Sequence, residues 1–454
     1  MANLSNIQNV YFIGIGGIGM SAIARYFNEH NVTVKGYDRT ETDLTRKLQQ
    51  EGISIHFEDN IELLDQDAQL VVYTPAIPKE HKELNWYRGN GYEVVKRSDV
   101  LQWITEELFS ITVAGTHGKT TVSTMIAFLL RETQYGCNAF LGGISVNYEN
   151  NYWGDENNTA VIEADEYDRS FLKLYPDIAV LTSMDADHLD IYGTVEEMEK
   201  AFIQYTKNIK QSGRLLVKHG LKHSNEFEAD NITTYSLQNS AADAYAANIM
   251  QRKGSYVFDY MSKEGMIPHV ELNIGGMHNV ENMIAAITVA QQLKIDAHQI
   301  KNAVAKFKGV KRRFEYVVKN DKVVYIDDYA HHPEELSALI NSAKRLFPDK
   351  KCVVAFQPHL FTRTRDLAEG FAHSLDVADE VLLLDIYPAR ELPMEGVTSQ
   401  MIADKMSNPA HTILSKKALL DYVKLAPVQL FITAGAGDID KLVKPIKEIL
   451  ENKQ

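Results

Sequence analysis

The residues best suited to chemistry lie in one short stretch, Gly115-Thr-His-Gly-Lys-Thr-Thr121, called the phosphate loop below. A β-branched run, Ile111 to Val113, precedes it and predicts a buried strand, and the apolar run after it predicts a helix. In this order of elements, backbone N–H groups and the helix N-terminus face phosphate oxygens. Lys119 is then expected to contact the outer phosphates of a nucleotide, and the Thr120 hydroxyl to bind Mg²⁺.

The loop is shorter than the usual motif, which has an additional glycine where this chain has Val113. A chance Gly-Lys-Thr in a turn is the alternative interpretation. The flanking strand and helix, in the correct order, favour a phosphate site.

Two further predicted strands end in polar clusters, Glu163-Ala-Asp-Glu-Tyr-Asp168 and Asp187-His-Leu-Asp190. Because ligands bind at the carboxyl ends of parallel strands, both clusters are expected near the phosphate loop. Carboxylate oxygens and one imidazole suit Mg²⁺ that carries nucleotide phosphates, so Glu163 and His188 are predicted metal or catalytic residues. For the remaining carboxylates of the first cluster, Glu166 among them, a helix cap or a salt bridge is an equal alternative.

A second glycine loop, Gly14-Ile-Gly-Gly-Ile-Gly19, follows a predicted strand over 9–16. A helix and a second strand that ends at Asp38 complete a βαβ unit, a pattern typical of dinucleotide sites. The pattern predicts a diphosphate at a helix N-terminus without identifying the nucleotide, so a nicotinamide oxidoreductase stays open. The segment Thr74-Pro-Ala76 follows another strand, where a ligand contact and a plain loop exit are equal alternatives.

The second half of the chain carries two more kinds of polar cluster. Gly275-Gly-Met-His-Asn279 opens a predicted helix and marks either a ligand contact or a helix cap. Before it, alternating segments between residues 232 and 274 predict a small antiparallel layer. After residue 312, strands alternate with helices, which predicts a Rossmann-like layer. Polar clusters follow four of its strands and mark one face as a site: 327–333, 357–366, 385–390 and 433–438.

Two arginines of the second of these clusters, Arg363 and Arg365, are natural partners for a carboxylate or phosphate. For each of them a surface salt bridge is the alternative interpretation.

Composition limits the classes of function that the protein can have. The 454 residues suggest about three domains, and the net charge of −14, from 47 basic and 61 acidic residues, argues against a general nucleic-acid or anionic-membrane binder. Two distant cysteines indicate a reducing compartment rather than a disulfide framework. The first residues lack the features of a signal peptide, and no apolar run has the length of a membrane span, so a cytoplasmic protein is expected.

Taken in order, these motifs and Arg312-Arg-Phe314 resemble the Mur ligase family along the whole chain. The resemblance implies an α/β protein of three domains. Residues 1–109 would form a Rossmann-like domain for UDP-N-acetylmuramate. Residues 110–311 would form a P-loop ATPase-like domain, with a mostly parallel sheet, for ATP and Mg²⁺. Residues 312–454 would form a Rossmann-like domain for the amino acid.

The implied reaction joins L-alanine to the carboxylate of UDP-N-acetylmuramate, with ATP consumed through an acyl phosphate, in cytoplasmic peptidoglycan precursor synthesis. A recycling ligase that attaches a murein tripeptide to the same nucleotide sugar is the alternative within the family. The stretch Gln357-Pro-His359 with Thr362-Arg-Thr-Arg-Asp366 favours the single amino acid. A nucleotide-binding module without catalysis is an alternative from another class.

The resemblance also implies a site for each ligand. The UDP-sugar residues are Gly14, Gly16, Gly17, Gly19, Asp38, Thr74 and Ala76. The ATP residues are Gly115, Thr116, His117, Gly118, Lys119, Thr120, Thr121, His278, Asn279, Arg313 and Asp328. The amino-acid residues are Tyr329, His331, His359 and Arg363.

Thr120, Glu163 and His188 are implied as ligands of Mg²⁺, which Mn²⁺ could replace, and Lys119, Glu163 and His188 as the catalytic residues. No nucleic acid or membrane insertion is implied, and the expected state is a monomer or a weak homodimer.

Overall fold

A computed structural model describes residues 4–186, 189–389 and 391–453. The fold is α/β, as predicted, with three sheets of five, ten and six strands. The chain divides into two compact units. The first contains the residues up to 247, 260–267 and 281–304, and the second contains 248–259, 268–280 and 305 onward. The domain boundaries at 109/110 and 311/312 stay predictions.

The first sheet is parallel, in the order β3-β2-β1-β4-β5. Its strands are β1 Asn9–Ile13, β2 Thr33–Tyr37, β3 Ser54–His56, β4 Leu70–Tyr73 and β5 Val94–Lys96. Its helices are α1 Ile18–Glu29, α2 Asp43–Gln50, α3 Lys82–Gly89 and α4 Arg97–Glu107. The last four residues of β1 are buried, because helices cover both faces of a parallel sheet.

The second sheet has the order β15-β14-β13-β12-β11-β10-β6-β9-β7-β8. Its strands are β6 Phe109–Ala114, β7 Asn138–Ser145, β8 Asn150–Trp153, β9 Thr159–Glu163, β10 Ile178–Leu181, β11 Arg214–Lys218, β12 Asn231–Ser236, β13 Ala244–Arg252, β14 Ser255–Ser262 and β15 Gly265–Leu272. The helices of this region are α5 Lys119–Glu132, α6 Leu189–Tyr192, α7 Val195–Thr206, α8 Met277–Gln292 and α9 Ala297–Lys306.

The prediction of a small antiparallel layer between residues 232 and 274 is wrong for its first strand. Strand β12 pairs in parallel with both β11 and β13, so these strands extend the central sheet. Short alternating segments carry no information about the direction of their neighbours, which explains the error.

The third sheet has the order β16-β17-β21-β18-β19-β20, parallel except for the first pair. Its strands are β16 Glu315–Lys319, β17 Val324–Asp328, β18 Cys352–Phe356, β19 Glu380–Leu383, β20 His411–Ile413 and β21 Leu430–Ala434. Its helices are α10 Pro333–Leu346, α11 Phe361–Leu375, α12 Gln400–Ala403, α13 Lys416–Leu425 and α14 Val443–Asn452. The Rossmann-like alternation predicted for this region is confirmed. Across the described part of the chain, no helix has the length and apolar character needed to cross a bilayer.

One carboxylic acid lies in the interior of the first sheet region. Glu83 of α3 is fully buried and accepts hydrogen bonds from the Tyr11 hydroxyl, at 2.7 Å, and from the Asn60 N–H, at 3.0 Å. The Tyr11 oxygen also lies 2.6 Å from Nε2 of His56. Burial raises the pKa of Glu83 to about 7, because the charged form loses its hydration and these hydrogen bonds restore only part of it.

The raised pKa of Glu83 predicts that the stability of the protein depends on pH. The native state binds this proton more tightly than the unfolded state, so the contribution of Glu83 to stability falls as pH rises through about 4.5 to about 7. The Tm of the wild type relative to Glu83→Gln is expected to fall between about pH 5 and about pH 8 in thermal unfolding. The exposed Glu62, changed to Gln, is the matched control, and a Glu83→Gln difference that stays constant with pH would contradict this account.

Candidate active site

The phosphate loop joins β6 to α5 as predicted, and two of its glycines hold backbone conformations that other residues rarely adopt. Gly115 has φ +131° and Gly118 has φ +85°. A Cβ at Gly115 would lie 2.2 Å from Oγ1 of Thr182. Both positions therefore require glycine, and the loop depends on its close approach to the residues that follow β10.

Those residues hold the loop through a set of hydrogen bonds, of which the shortest involve Thr182 and Ser183. The Thr182 hydroxyl donates to the His117 carbonyl at 2.5 Å, and the His117 N–H donates to Oγ of Ser183 at 2.7 Å. The Thr116 hydroxyl lies 2.9 Å from Oγ of Ser183 and accepts from the N–H of Asp185 at 3.0 Å. Thr182 and Ser183 were not predicted as site residues, although both directly follow a predicted strand of the loop's own sheet.

On its other side the loop is bonded to the first carboxylate cluster. The Lys119 ammonium lies 2.7 Å from the Glu166 carboxylate and donates to the Gly115 carbonyl at 2.7 Å. The Thr120 hydroxyl donates to Oε1 of Glu163 at 2.9 Å. Two successive residues of α5 are thus each bonded to one glutamate: Lys119 to Glu166, just beyond β9, and Thr120 to Glu163, the last residue of β9.

The carboxylate of Glu163 lies against β7, in space that only a glycine leaves. The N–H of Gly142 donates to its Oε2 at 3.0 Å, and a Cβ at Gly142 would lie 2.3 Å from the same oxygen. The Thr120 hydroxyl and the Glu163 carboxylate are hard oxygen donors of the type that Mg²⁺ prefers. This pair fits a metal site of the predicted kind.

The third predicted metal ligand, His188, lies outside the described residues, as does its neighbour Asp187. Within the described ranges, no group of three His, Cys, Asp or Glu side chains is arranged to hold a metal ion. The metal set of Thr120, Glu163 and His188 therefore stays a prediction.

Six of the seven residues predicted for the UDP-sugar line one cavity of about 650 Å³. They are Gly14, Gly16, Gly17, Asp38, Thr74 and Ala76. The seventh, Gly19, lies in α1, where a Cβ would come within 2.7 Å of Nη1 of Arg97. Asp38 accepts from the N–H of Gly16 at 2.7 Å, so its carboxylate also shapes the glycine loop. Lining residues that the sequence analysis missed include Tyr37, Asp59 and His81.

The other residues predicted for ATP lie in the second unit. His278 and Asn279 occupy the first turn of α8, and the buried Asn279 amide donates to the Gly275 carbonyl at 2.7 Å. Asp328 accepts from the N–H groups of Phe314 and Ala330, and burial raises its pKa to about 6.

The residues predicted for the amino acid form one cluster beyond β17 and β18. The His331 ring lies 5.2 Å from the Tyr329 ring and 6.4 Å from the His359 ring, and Tyr387 stacks on His359 at 5.8 Å. Nη1 of Arg363 is buried and has no hydrogen-bond partner among the described residues. A buried cation donor without an acceptor indicates a place for an anionic group. Tyr387 lies within the polar cluster 385–390 of the sequence but was not predicted as a site residue.

His331 has a defined tautomer in this cluster. Its Nδ1 lies 3.0 Å from the Tyr329 carbonyl, which can only accept, so Nδ1 carries the proton and Nε2 keeps its lone pair. Burial and the nearby Arg363 and Arg313 cations lower the pKa of His331, although Glu335 opposes this effect. The neutral form is therefore favoured near neutral pH.

Three family models match successive parts of this chain. The model described as Mur ligase family, catalytic domain, matches residues 9–108. The Mur ligase middle domain matches residues 113–290, and the model described as Mur ligase, glutamate ligase domain, matches residues 312–437.

Individual proteins are similar over almost the full length. UDP-N-acetylmuramate–L-alanine ligases of Parabacteroides distasonis and Flavobacterium johnsoniae are 48% and 45% identical, over 99% of this chain and 98% and 99% of the relatives. The crystal structure of a UDP-N-acetylmuramate–alanine ligase from Thermotoga maritima matches with a TM-score of 0.82 at 27% identity, covering 98% of this chain and 100% of that one. By these matches the chain belongs to the Mur ligase family.

Proposed function

We propose that this chain is an ATP-dependent ligase that joins L-alanine to the carboxylate of UDP-N-acetylmuramate in peptidoglycan precursor synthesis. The observation that carries this proposal is identity of 45–48%, over almost the whole length, to enzymes of that name. The loop geometry supports ATP as the energy source, since Lys119 and Thr120 follow the glycines at the start of α5. The alternative of a tripeptide acceptor has no specific observation in its favour.

The chemistry follows from the weak reactivity of a carboxylate toward amines. In the first step the substrate carboxylate attacks the γ-phosphorus of ATP, which gives an acyl phosphate and ADP. In the second step the amine of L-alanine attacks the acyl carbon, inorganic phosphate leaves, and the amine loses a proton. The net products are an amide, ADP, phosphate and one proton.

The residues of the phosphate loop act in the first step. The ammonium of Lys119 and the loop N–H groups stabilise the negative charge that spreads over the transferring phosphoryl group. Thr120, Glu163 and His188 are the residues that would hold Mg²⁺. When bound, this ion supplies a positive charge to the phosphate oxygens.

The clusters of the third sheet act on the amino acid. The unsatisfied Nη1 of Arg363 suits the carboxylate of L-alanine. The lone pair on Nε2 of His331 is a candidate acceptor for the amine proton. The cavity at Gly14 and Asp38 takes the diphosphate and uridine of the substrate.

We also propose that the chain is a monomer or a weak homodimer and that it acts in the cytoplasm. Cys137 and Cys352 are both buried free thiols, which supports a reducing compartment.

The direct test is phosphate release from ATP and Mg²⁺ with UDP-N-acetylmuramate, in the presence or absence of L-alanine. Release that requires both substrates, with a product heavier by one alanyl residue, supports the proposal. Release only with the tripeptide would identify the recycling ligase. Turnover without phosphate release but with a change in NADH absorbance would identify an oxidoreductase.

Lys119→Met is expected to lower kcat for phosphate release by about 100-fold or more, because a charged donor at the transferring phosphoryl group is lost. The control is Lys210→Met, which removes the partner of Asp177, a carboxylate that also accepts from the N–H of Ser110 in β6. An unchanged kcat in Lys119→Met would exclude the proposed role of this lysine.

Gly142→Ala is expected to reduce activity, because the new Cβ would push Glu163 away from Thr120. The loss should be about tenfold or more and should shrink at high Mg²⁺ concentration, since disturbing a group that orients a metal ligand weakens metal binding by about that factor. Gly89→Ala is the matched control, because a Cβ there has no neighbour within 4 Å. Equal Mg²⁺ titrations of the two variants would contradict the assignment of Glu163.

Arg363→Met is expected to raise the KM for L-alanine by about 10- to 100-fold, the effect of losing one charge-assisted hydrogen bond. Arg365→Met is the matched control, because this exposed arginine pairs with its neighbour Asp366 at 2.7 Å. Steady-state kinetics with L-alanine varied separate the two. A larger effect at Arg365 than at Arg363 would mean that the alanine carboxylate binds elsewhere.

A further inference from the structure

The ammonium of Lys119 is held by acceptors of the protein itself. It makes short contacts of 2.7 Å with the Glu166 carboxylate and the Gly115 carbonyl, and a longer one of 3.5 Å with the Thr116 carbonyl. An ammonium group has three donors, and the two contacts of 2.7 Å take two of them. A phosphate oxygen therefore meets only the third donor of Lys119 unless it replaces Glu166 or Gly115.

Glu166 is the acceptor with a charge, and it is completely buried, whereas the side chain of Lys119 is 13% exposed. Burial raises the pKa of Glu166, although Lys119 lowers it. This pair differs from a surface salt bridge, because a buried carboxylate is costly unless a cation or several donors compensate it. Lys119 is the cation that compensates Glu166.

The backbone that carries Glu166 is held in place on both sides. The N–H of Ala164 donates to the Val113 carbonyl at 2.9 Å, which ties the segment to β6. The hydroxyl of the buried Tyr192 donates to the Glu166 carbonyl at 2.7 Å. The carboxylate is therefore presented to Lys119 from a fixed position rather than from a free loop.

We propose that Glu166 is a positioning residue that acts through Lys119: it holds the ammonium at the phosphate loop and competes with nucleotide phosphates for it. Glu166 then sets how tightly the loop binds a nucleoside triphosphate and how readily it releases one. This inference rests on the proposed function only in taking ATP as the ligand of the loop.

The test is the binding of adenosine, ADP and ATP to the full-length Glu166→Gln variant, by titration calorimetry. Chelator is present so that Thr120 and Glu163 take no part through a metal. Glutamine keeps the shape of the side chain and removes the competing charge. ATP is expected to bind about tenfold tighter than to the wild type, ADP less so, and adenosine equally. A purely structural role would change all three affinities alike.

Action through Lys119 is tested by a double-mutant cycle. In a Lys119→Met background, Glu166→Gln is expected to leave the affinity for ATP unchanged, because the residue for which the carboxylate competes is absent. Asp177→Asn is the matched control, since Asp177 also pairs with a lysine, Lys210, at 2.8 Å. Its expected effect on ATP binding is nil.

Glu166→Asp covers the case in which the glutamine variant does not fold. It keeps the charge but draws the carboxylate back from Lys119, and it is expected to tighten ATP binding by a smaller factor. Unchanged or weaker ATP binding, an equal change for adenosine, or a change that persists without Lys119 would overturn the proposal. ATP binding that follows these expectations in a protein without ligase activity would refute the proposed function and leave this inference standing.

Discussion

The phosphate loop depends on parallel strands that end together at one edge of the central sheet. Strand β6 lies between β10 and β9, with Ala114 opposite Leu181 and Val113 opposite Glu163. The residues that leave β10 therefore reach one side of the loop, and those that leave β9 reach the other. Without these neighbouring residues, no side chains would hold the loop in its strained backbone conformation.

The two sides of the loop are bonded in different ways. The Thr182 and Ser183 hydroxyls bind its backbone, which fixes the path of the chain without adding charge. Glu163 and Glu166 bind the side chains of Thr120 and Lys119, which are the groups proposed to bind a nucleotide and its metal ion. The neutral side thus fixes the loop backbone, whereas the charged side fixes the side chains to which the proposed chemistry is assigned.

The sequence predicted most of the elements that position the site, because buried parallel strands have long apolar runs and the glycine loops are distinctive. It did not predict the β7–β8 hairpin, in which Gly142 leaves room for Glu163. From sequence alone, a glycine inside a strand indicates only a weakened strand. Its role becomes clear when the side chain that faces it is known. Pairing between distant residues, such as Lys119 with Glu166, likewise requires the three-dimensional arrangement.

The two arginines of α11 show where residue type and helical periodicity stop short of a prediction. Arg363 and Arg365 are two positions apart, so about 200° of rotation about the helix axis separates them, with Thr364 midway. The buried residues of α11, which include Thr364 and Ala368, lie on a face centred near Thr364. The two arginines therefore flank the buried face alike, and periodicity does not distinguish them. Only their contacts do so, because Nη1 of Arg363 is buried without a partner among the described residues, whereas Arg365 turns outward to Asp366.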